Sequence, residues 1–229
     1  MRLRTPLRVA LVLALLAATG TAHAQNLNFD FGAADDGPPA TYGAAGQVGH
    51  WNSFPAAHGT NTSGMVDVAG LPTAVSVSQI GGFTLLVEND PSVTGDDALL
   101  LDDFLVTYSS SLESCLYLNG MAPGTYEVLI YARMPDSDVL SYTSVDQEPG
   151  FPHWSVGGVW PGQHAVLISY SRHYAVVGPS GDLDLHSGVV PAANPALGAA
   201  LNGLQVRRVD LFADGFENAD TTAWSATFP

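Results

Sequence analysis

The chain of 229 residues sets 22 acidic side chains against seven basic ones, all of them arginine, for a formal charge of −15 and a pI ≈ 4.4. That balance speaks against nucleic acid and against an anionic membrane surface, because both need clustered Lys and Arg. It suits neutral ligands, cations such as Ca²⁺, or solubility alone.

The first 24 residues read as a signal peptide. Arg2, Arg4 and Arg8 make a positive start, residues 9–18 are apolar, and Ala22 and Ala24 are small residues where a signal peptidase reads. Cleavage is expected before Gln25, which predicts an exported protein in the periplasm, on the cell surface or in the medium. The alternative is an anchor, but the apolar run is short of the roughly 20 residues a span needs, and no membrane insertion is expected after cleavage. Losing three arginines and no acid moves the formal charge from −15 to −18.

Past residue 24 helical periodicity is almost absent, and short apolar runs alternate with Gly and Pro. This is the pattern of many short strands. Residues 27–31 are the predicted first strand, with Leu27, Phe29 and Phe31 on one face. Residues 33–64 read as a long loop wrapping the domain, pinned by Trp51 and Phe54. Strands are expected at 75–78 and 83–87, with a turn at 88–91 before Pro91.

Asp96 and Asp97 precede an apolar run at 98–101, read as a strand, which Asp102 and Asp103 close; another strand follows at 104–108. Residues 113–118 and 124–133 look like a hairpin across 119–123. The second of these is apolar on both faces, which fits a central strand. Cys115 lies in the first. It can form no intramolecular disulfide and reads as a buried structural thiol, and a chain of this length buries a core without a disulfide.

Residues 135–162 vary in composition, then strands are expected at 163–170, 173–177 and 182–186. Asn202-Gly203 is a turn signal. It leads into a last strand with Leu204 and Val206 facing one way and Gln205, Arg207 and Val209 the other. That strand should lie beside the first. Residues 25–211 thus read as one β-sandwich domain and 212–229 as a tail outside it.

Several pieces in this order resemble the galactose-binding-like jelly-roll domains of secreted bacterial proteins. They are LNFDFG at 27–32, YGAAGQVGHWN at 42–52, LNGMAPGTY at 118–126, the run at 181–185, and ALNGLQV at 200–206. The resemblance implies an all-β jelly-roll sandwich, in a group that includes carbohydrate-binding modules and domains with no known ligand. The tail is similar to a short C-terminal segment of many exported Gram-negative proteins, carried here by DGFE at 214–217 and Trp224.

The chemistry is open to several readings. The histidines have no H-x-x-x-H or H-E-x-x-H spacing, so a zinc enzyme is not expected. No G-x-S-x-G elbow occurs. The acid pairs Asp136 and Asp138, or Asp146 and Glu148, sit in loops. Asp96, Asp97, Asp102 and Asp103 are either solvated strand ends or a Ca²⁺ site built from hard oxygens. Sugar rings stack on aromatic faces, and polar side chains bond their hydroxyls. His153, Trp154 and Trp160, in a Pro/Gly-rich loop, fit that role if the rings are exposed. Trp51 and Asn52 are a second possibility, with Trp51 as a core plug the alternative. The expectation is a secreted, non-catalytic module binding a glycan, with no required cofactor and calcium as a structural ion. The rivals are an interaction protein without a small ligand, and a secreted hydrolase.

Overall fold

Alternation at the two ends of the domain decides the first pairing. In the computed structural model Leu27 lies opposite Val206 and Phe29 opposite Leu204, in antiparallel register. The structure describes residues 25–32, 37–54, 59–81, 84–107, 113–190 and 198–209. The predicted signal peptide and tail lie outside the described residues.

The described elements, in chain order, are β1 (Leu27–Asp30), β2 (Trp51–Ser53), β3 (Asn61–Ser63), β4 (Ser76–Ile80), β5 (Thr84–Val87), α1 (Asp96–Leu101), β6 (Asp103–Thr107), β7 (Glu113–Asn119), β8 (Gly124–Tyr131), β9 (Ser141–Val145), β10 (Trp154–Val156), β11 (Tyr170–Val177), β12 (Leu183–Val189), β13 (Ala199–Leu201) and β14 (Gly203–Arg208). They form a five-stranded sheet in the order β11-β8-β14-β1-β2 and a six-stranded sheet in the order β10-β9-β12-β7-β4-β3. A small third sheet runs β13-β6-β5. The chain crosses repeatedly between the two large sheets, as from β7 to β8 to β9 and from β10 to β11 to β12, and the protein is an all-β jelly-roll sandwich.

The main core fills the space between the large sheets. Leu27, Phe29, Val128, Ile130 and Val206 come from one side, and Val77, Leu116, Val145 and Leu185 from the other. The opposite face of the five-stranded sheet is also covered. There Leu129 and Tyr131 pack with Trp51, Leu100, Leu101, Trp160 and Tyr170. That double burial explains why β8, a central strand, is apolar on both sides.

Five expectations are corrected. The run at 98–101 is helix, not strand. Ala and Leu are strong helix formers, and Asp96 and Asp97 sit in the first turn, where the helix dipole favours acids. Leu100 and Leu101 are buried while Leu99 is exposed, the sidedness of a helix.

Strands β7 and β8 do not form a hairpin. β7 pairs with β12 and β4, β8 with β11 and β14, so the turn between them carries the chain from one sheet to the other. The stretch at 163–169 is turns rather than strand, and β11 begins at Tyr170. The loop at 33–64 contains β2 and β3, with β2 parallel to β1.

Asn202-Gly203 is not a turn at positive φ. Asn202 is fully buried at the passage from β13 to β14, a joint between sheets. Its Nδ2 donates to the carbonyls of Leu101 (3.1 Å) and Asp103 (3.4 Å), and its Oδ1 accepts from the Arg133 amide (2.8 Å). A Cβ at Gly203 would lie 2.6 Å from Leu100 Cδ1 and 2.8 Å from the Phe29 carbonyl, so glycine is needed there for close approach.

Candidate functional site

The covered face of the five-stranded sheet holds a polar cavity. Its position follows from how the 37–50 segment is tied down. Gln205 is buried on β14. Its Nε2 donates to the carbonyls of Gln47 (2.8 Å) and Gly43 (3.3 Å) and to Asn28 Oδ1 (3.1 Å). The Tyr131 hydroxyl donates to Gln205 Oε1 (2.7 Å) and accepts from the Ala45 amide (2.9 Å). Trp51 stacks on Tyr42 at 5.9 Å, and its Nε1 donates to the Tyr42 carbonyl (3.1 Å).

So held, the Tyr42 hydroxyl reaches two side chains at once. It is 2.6 Å from Asp97 Oδ1, on α1, and 2.6 Å from His164 Nε2. His164 Nε2 is itself 3.2 Å from Asp97 Oδ1, and its Nδ1 is 3.1 Å from Ser169 Oγ. The imidazole meets Trp160 and Tyr131 edge-on at 5.3 and 5.2 Å. Above this chain of bonds lies a cavity of ≈ 390 Å³ lined by Ala44, Ala45, Asp97, Gln163, His164 and Tyr170.

Burial pushes the His164 pKa down, and Asp97 offsets this only in part. Burial, with the bond to Asp97, pushes Tyr42 well up. A neutral His164 beside a protonated Tyr42 gives one consistent order of donors. Ser169 donates to Nδ1, Nε2–H donates to the Tyr42 oxygen, and Tyr42 donates to Asp97. The group is a fixed hydrogen-bonding surface with one carboxylate in its wall.

Ser169, His164 and Asp97 have the composition of a hydrolytic triad, but Ser169 is fully buried. Its hydroxyl accepts from the Ala165 amide (3.1 Å) and lies 3.3 Å from the Ala165 carbonyl. That geometry gives it no approach to a substrate carbonyl.

The residues predicted from sequence divide. Trp51, Trp160 and Asp97 converge at this site. Trp160 is 8% exposed, however, and is a wall of the second core rather than a free stacking ring. The Arg133 guanidinium lies 5.8 Å over its ring and His164 meets its edge, so the Pro/Gly-rich loop folds back onto the sandwich. Trp51, at 5% exposure, is the core plug. Asn52 is buried too. Its Nδ2 donates to the Asn28 and Val66 carbonyls (3.0 and 2.8 Å) and its Oδ1 accepts from the Val66 amide, so it is a structural tie, not a ligand contact.

Trp154 is 39% exposed on β10, and His153 is exposed and stacked on Tyr142 at 5.4 Å. Both belong to the edge of the other sheet. The four aspartates do not meet: Asp96 is exposed, Asp97 bonds Tyr42, Asp102 faces the Asp90–Arg133 pair, and Asp103 lies buried against Gly32. Among the described residues no three of them bring ligand atoms together as a calcium site needs. Sequence reasoning missed Tyr42, Gln163 and Tyr170, and passed over His164 as one of several scattered histidines. The contacts joining them span up to 122 residues.

No family model matches the chain, and no curated protein matches it. Among solved structures it is similar to the carbohydrate-binding module TmCBM61 in complex with β-1,4-galactotriose, at 12% identity and a TM-score of 0.37, over 58% of this chain and 88% of that one. It is similar to the plant peptide RALF23 complex with FER and LLG2, at 15% identity and a TM-score of 0.43, over 82% of this chain and 41% of that one. It is also similar to a Bacteroides uniformis β-glucuronidase, at 14% identity and a TM-score of 0.40. There it covers 70% of this chain and 20% of that one.

Proposed function

We propose that the protein is an exported, non-catalytic module that binds a neutral, hydroxyl-rich ligand, a glycan, in the cavity over the five-stranded sheet. The observation that carries this reading is the Tyr42–Asp97–His164 chain beneath the cavity, with the exposed Gln163 amide beside it. A carboxylate and an amide at one wall are the groups that bond sugar hydroxyls. The volume falls within the roughly 300–1,000 Å³ of small-molecule sites. The acidic chain, with no lysine, suits an uncharged ligand better than an anionic one.

The test is a glycan array on the purified protein, followed by calorimetry on any hit. Gln163→Ala should weaken retention about tenfold, or about 1.4 kcal/mol, with an unchanged melting temperature. Asp97→Asn should weaken it further. Binding to no glycan, or binding that ignores both substitutions, sinks the reading. Export is checked separately: N-terminal sequencing of secreted protein should begin at Gln25, whereas intact Met1 in a membrane fraction would make the segment an anchor.

A further inference from the structure

The outer face of the six-stranded sheet carries a second cluster, remote from the cavity in the sandwich. Cys115 on β7 lies directly opposite His186 on β12, and the next outward position on β7 is Glu113. Cys115 Sγ is 3.3 Å from His186 Nδ1, and Glu113 Oε2 is 3.0 Å from the same nitrogen. All three donor atoms lie within 4.8 Å of one another. We propose that Glu113, Cys115 and His186 are a zinc-binding site.

The spacing fits the ion. Zinc takes sulfur at about 2.3 Å and nitrogen or oxygen at about 2.0–2.2 Å in a tetrahedron, which sets neighbouring donors roughly 3.3–3.6 Å apart. The observed 3.3 and 3.0 Å need only a small opening of the cluster. The donor types fit as well. A thiolate, an imidazole and a carboxylate suit zinc, whereas calcium and magnesium want oxygen alone. Three protein ligands leave the fourth position to water or a small anion.

His186 also has a carboxylate close to its other ring nitrogen, as metal-ligating histidines often do. His186 Nε2 is 2.9 Å from Asp146 Oδ1, which leaves Nδ1 as the donor atom turned to sulfur and carboxylate. Tyr117 stands two residues from Cys115 on β7, on the same outward face. Gly188 pairs with both Tyr142 and Glu113. A Cβ there would sit 2.5 Å from the Tyr142 ring, so the missing side chain lets the ring lie across β12 towards Glu113. Phe151 packs edge-on to His186 at 6.3 Å and shields one side.

The experiment uses purified protein stripped with a chelator and dialysed. Titration with Zn²⁺ should show a single equivalent bound, and Co²⁺ in its place should give a thiolate-to-cobalt charge-transfer band. Cys115→Ser should abolish the band. His186→Ala should weaken zinc more than about 100-fold, and Asp146→Asn about 10–100-fold. Asp146 is solvent-exposed, so its variant keeps the result interpretable if a strand substitution fails to fold. Gln163→Ala, in the other site, should bind zinc as the wild type does. A missing cobalt band, or zinc affinity unchanged in Cys115→Ser, overturns the proposal. So does alkylation of Cys115 that zinc does not slow.

Discussion

Arg133 reaches Asp90 across 43 residues of chain, with Nη2 2.6 Å from Oδ2 and both side chains buried. Burial by itself would raise the Asp90 carboxyl. The Ser92 hydroxyl and amide, together with Arg133, outweigh it and hold the group below the usual carboxylate range. A depressed acid gives stability that is present above its unfolded pKa of about 3.9 and is lost as pH falls through the folded value. The same pair anchors Trp160, because Arg133 also lies over that ring. Asp90→Ala should therefore cost about 3–5 kcal/mol in urea denaturation, since it leaves a buried guanidinium unpaired. A loss under 1 kcal/mol would mean that the pair is solvated.

The two tryptophans of the 149–164 region should behave differently. Trp160→Ala empties a place in the second core and should lower stability by about 3–5 kcal/mol. Trp154→Ala, on an exposed edge strand, should cost less than about 1 kcal/mol. Denaturant midpoints of the two variants compare them directly, and equal losses would contradict the burial described above.

His164 predicts an acid limit. Burial lowers its folded pKa below the unfolded value of about 6.5. The unfolded chain then binds a proton that the folded protein resists, so stability should fall as pH drops below about 6.5. His173, buried beside Glu148, is lowered for the same main reason and adds to the slope. His164→Gln should flatten part of the pH dependence of the melting temperature. An unchanged slope would assign the effect elsewhere.

Gln205 bonds four partners on the covered face, so Gln205→Ala leaves buried groups of Asn28 and Tyr131 short of partners. The expected loss is at least about 2 kcal/mol. Hydrogen exchange at residues 43–47 should quicken, because Gln205 holds that segment to the sheet. Protection that survives the substitution would show the segment to be tied by other bonds.

The sandwich was legible where period-two alternation was strong. The pairing of β1 with β14 follows from Leu27, Phe29, Leu204 and Val206 sharing one buried face. Residues 98–101 were not legible, because a four-residue apolar run carries no period, and the helix propensity of Ala and Leu decides the outcome only together with the burial of Leu100 and Leu101. Gln205 could be placed on a face, but not recognised as the tie for a loop 158 residues earlier. Cys115 shows the limit most plainly. Glu113 two residues before it was within reach of the sequence, but His186 meets it from 71 residues away.

The seating of β1 between β2 and β14 also dictates an order of events. Asn28 and Gln205 are 177 residues apart, and no local contact substitutes for their meeting. The centre of the five-stranded sheet cannot close until residue 208 is available, however early β8 and β11 pair. Such long-range closure makes folding slow. It leaves the five-stranded sheet open until nearly the whole chain has been made, and the proposed export needs a chain still unclosed when it is threaded through a narrow channel.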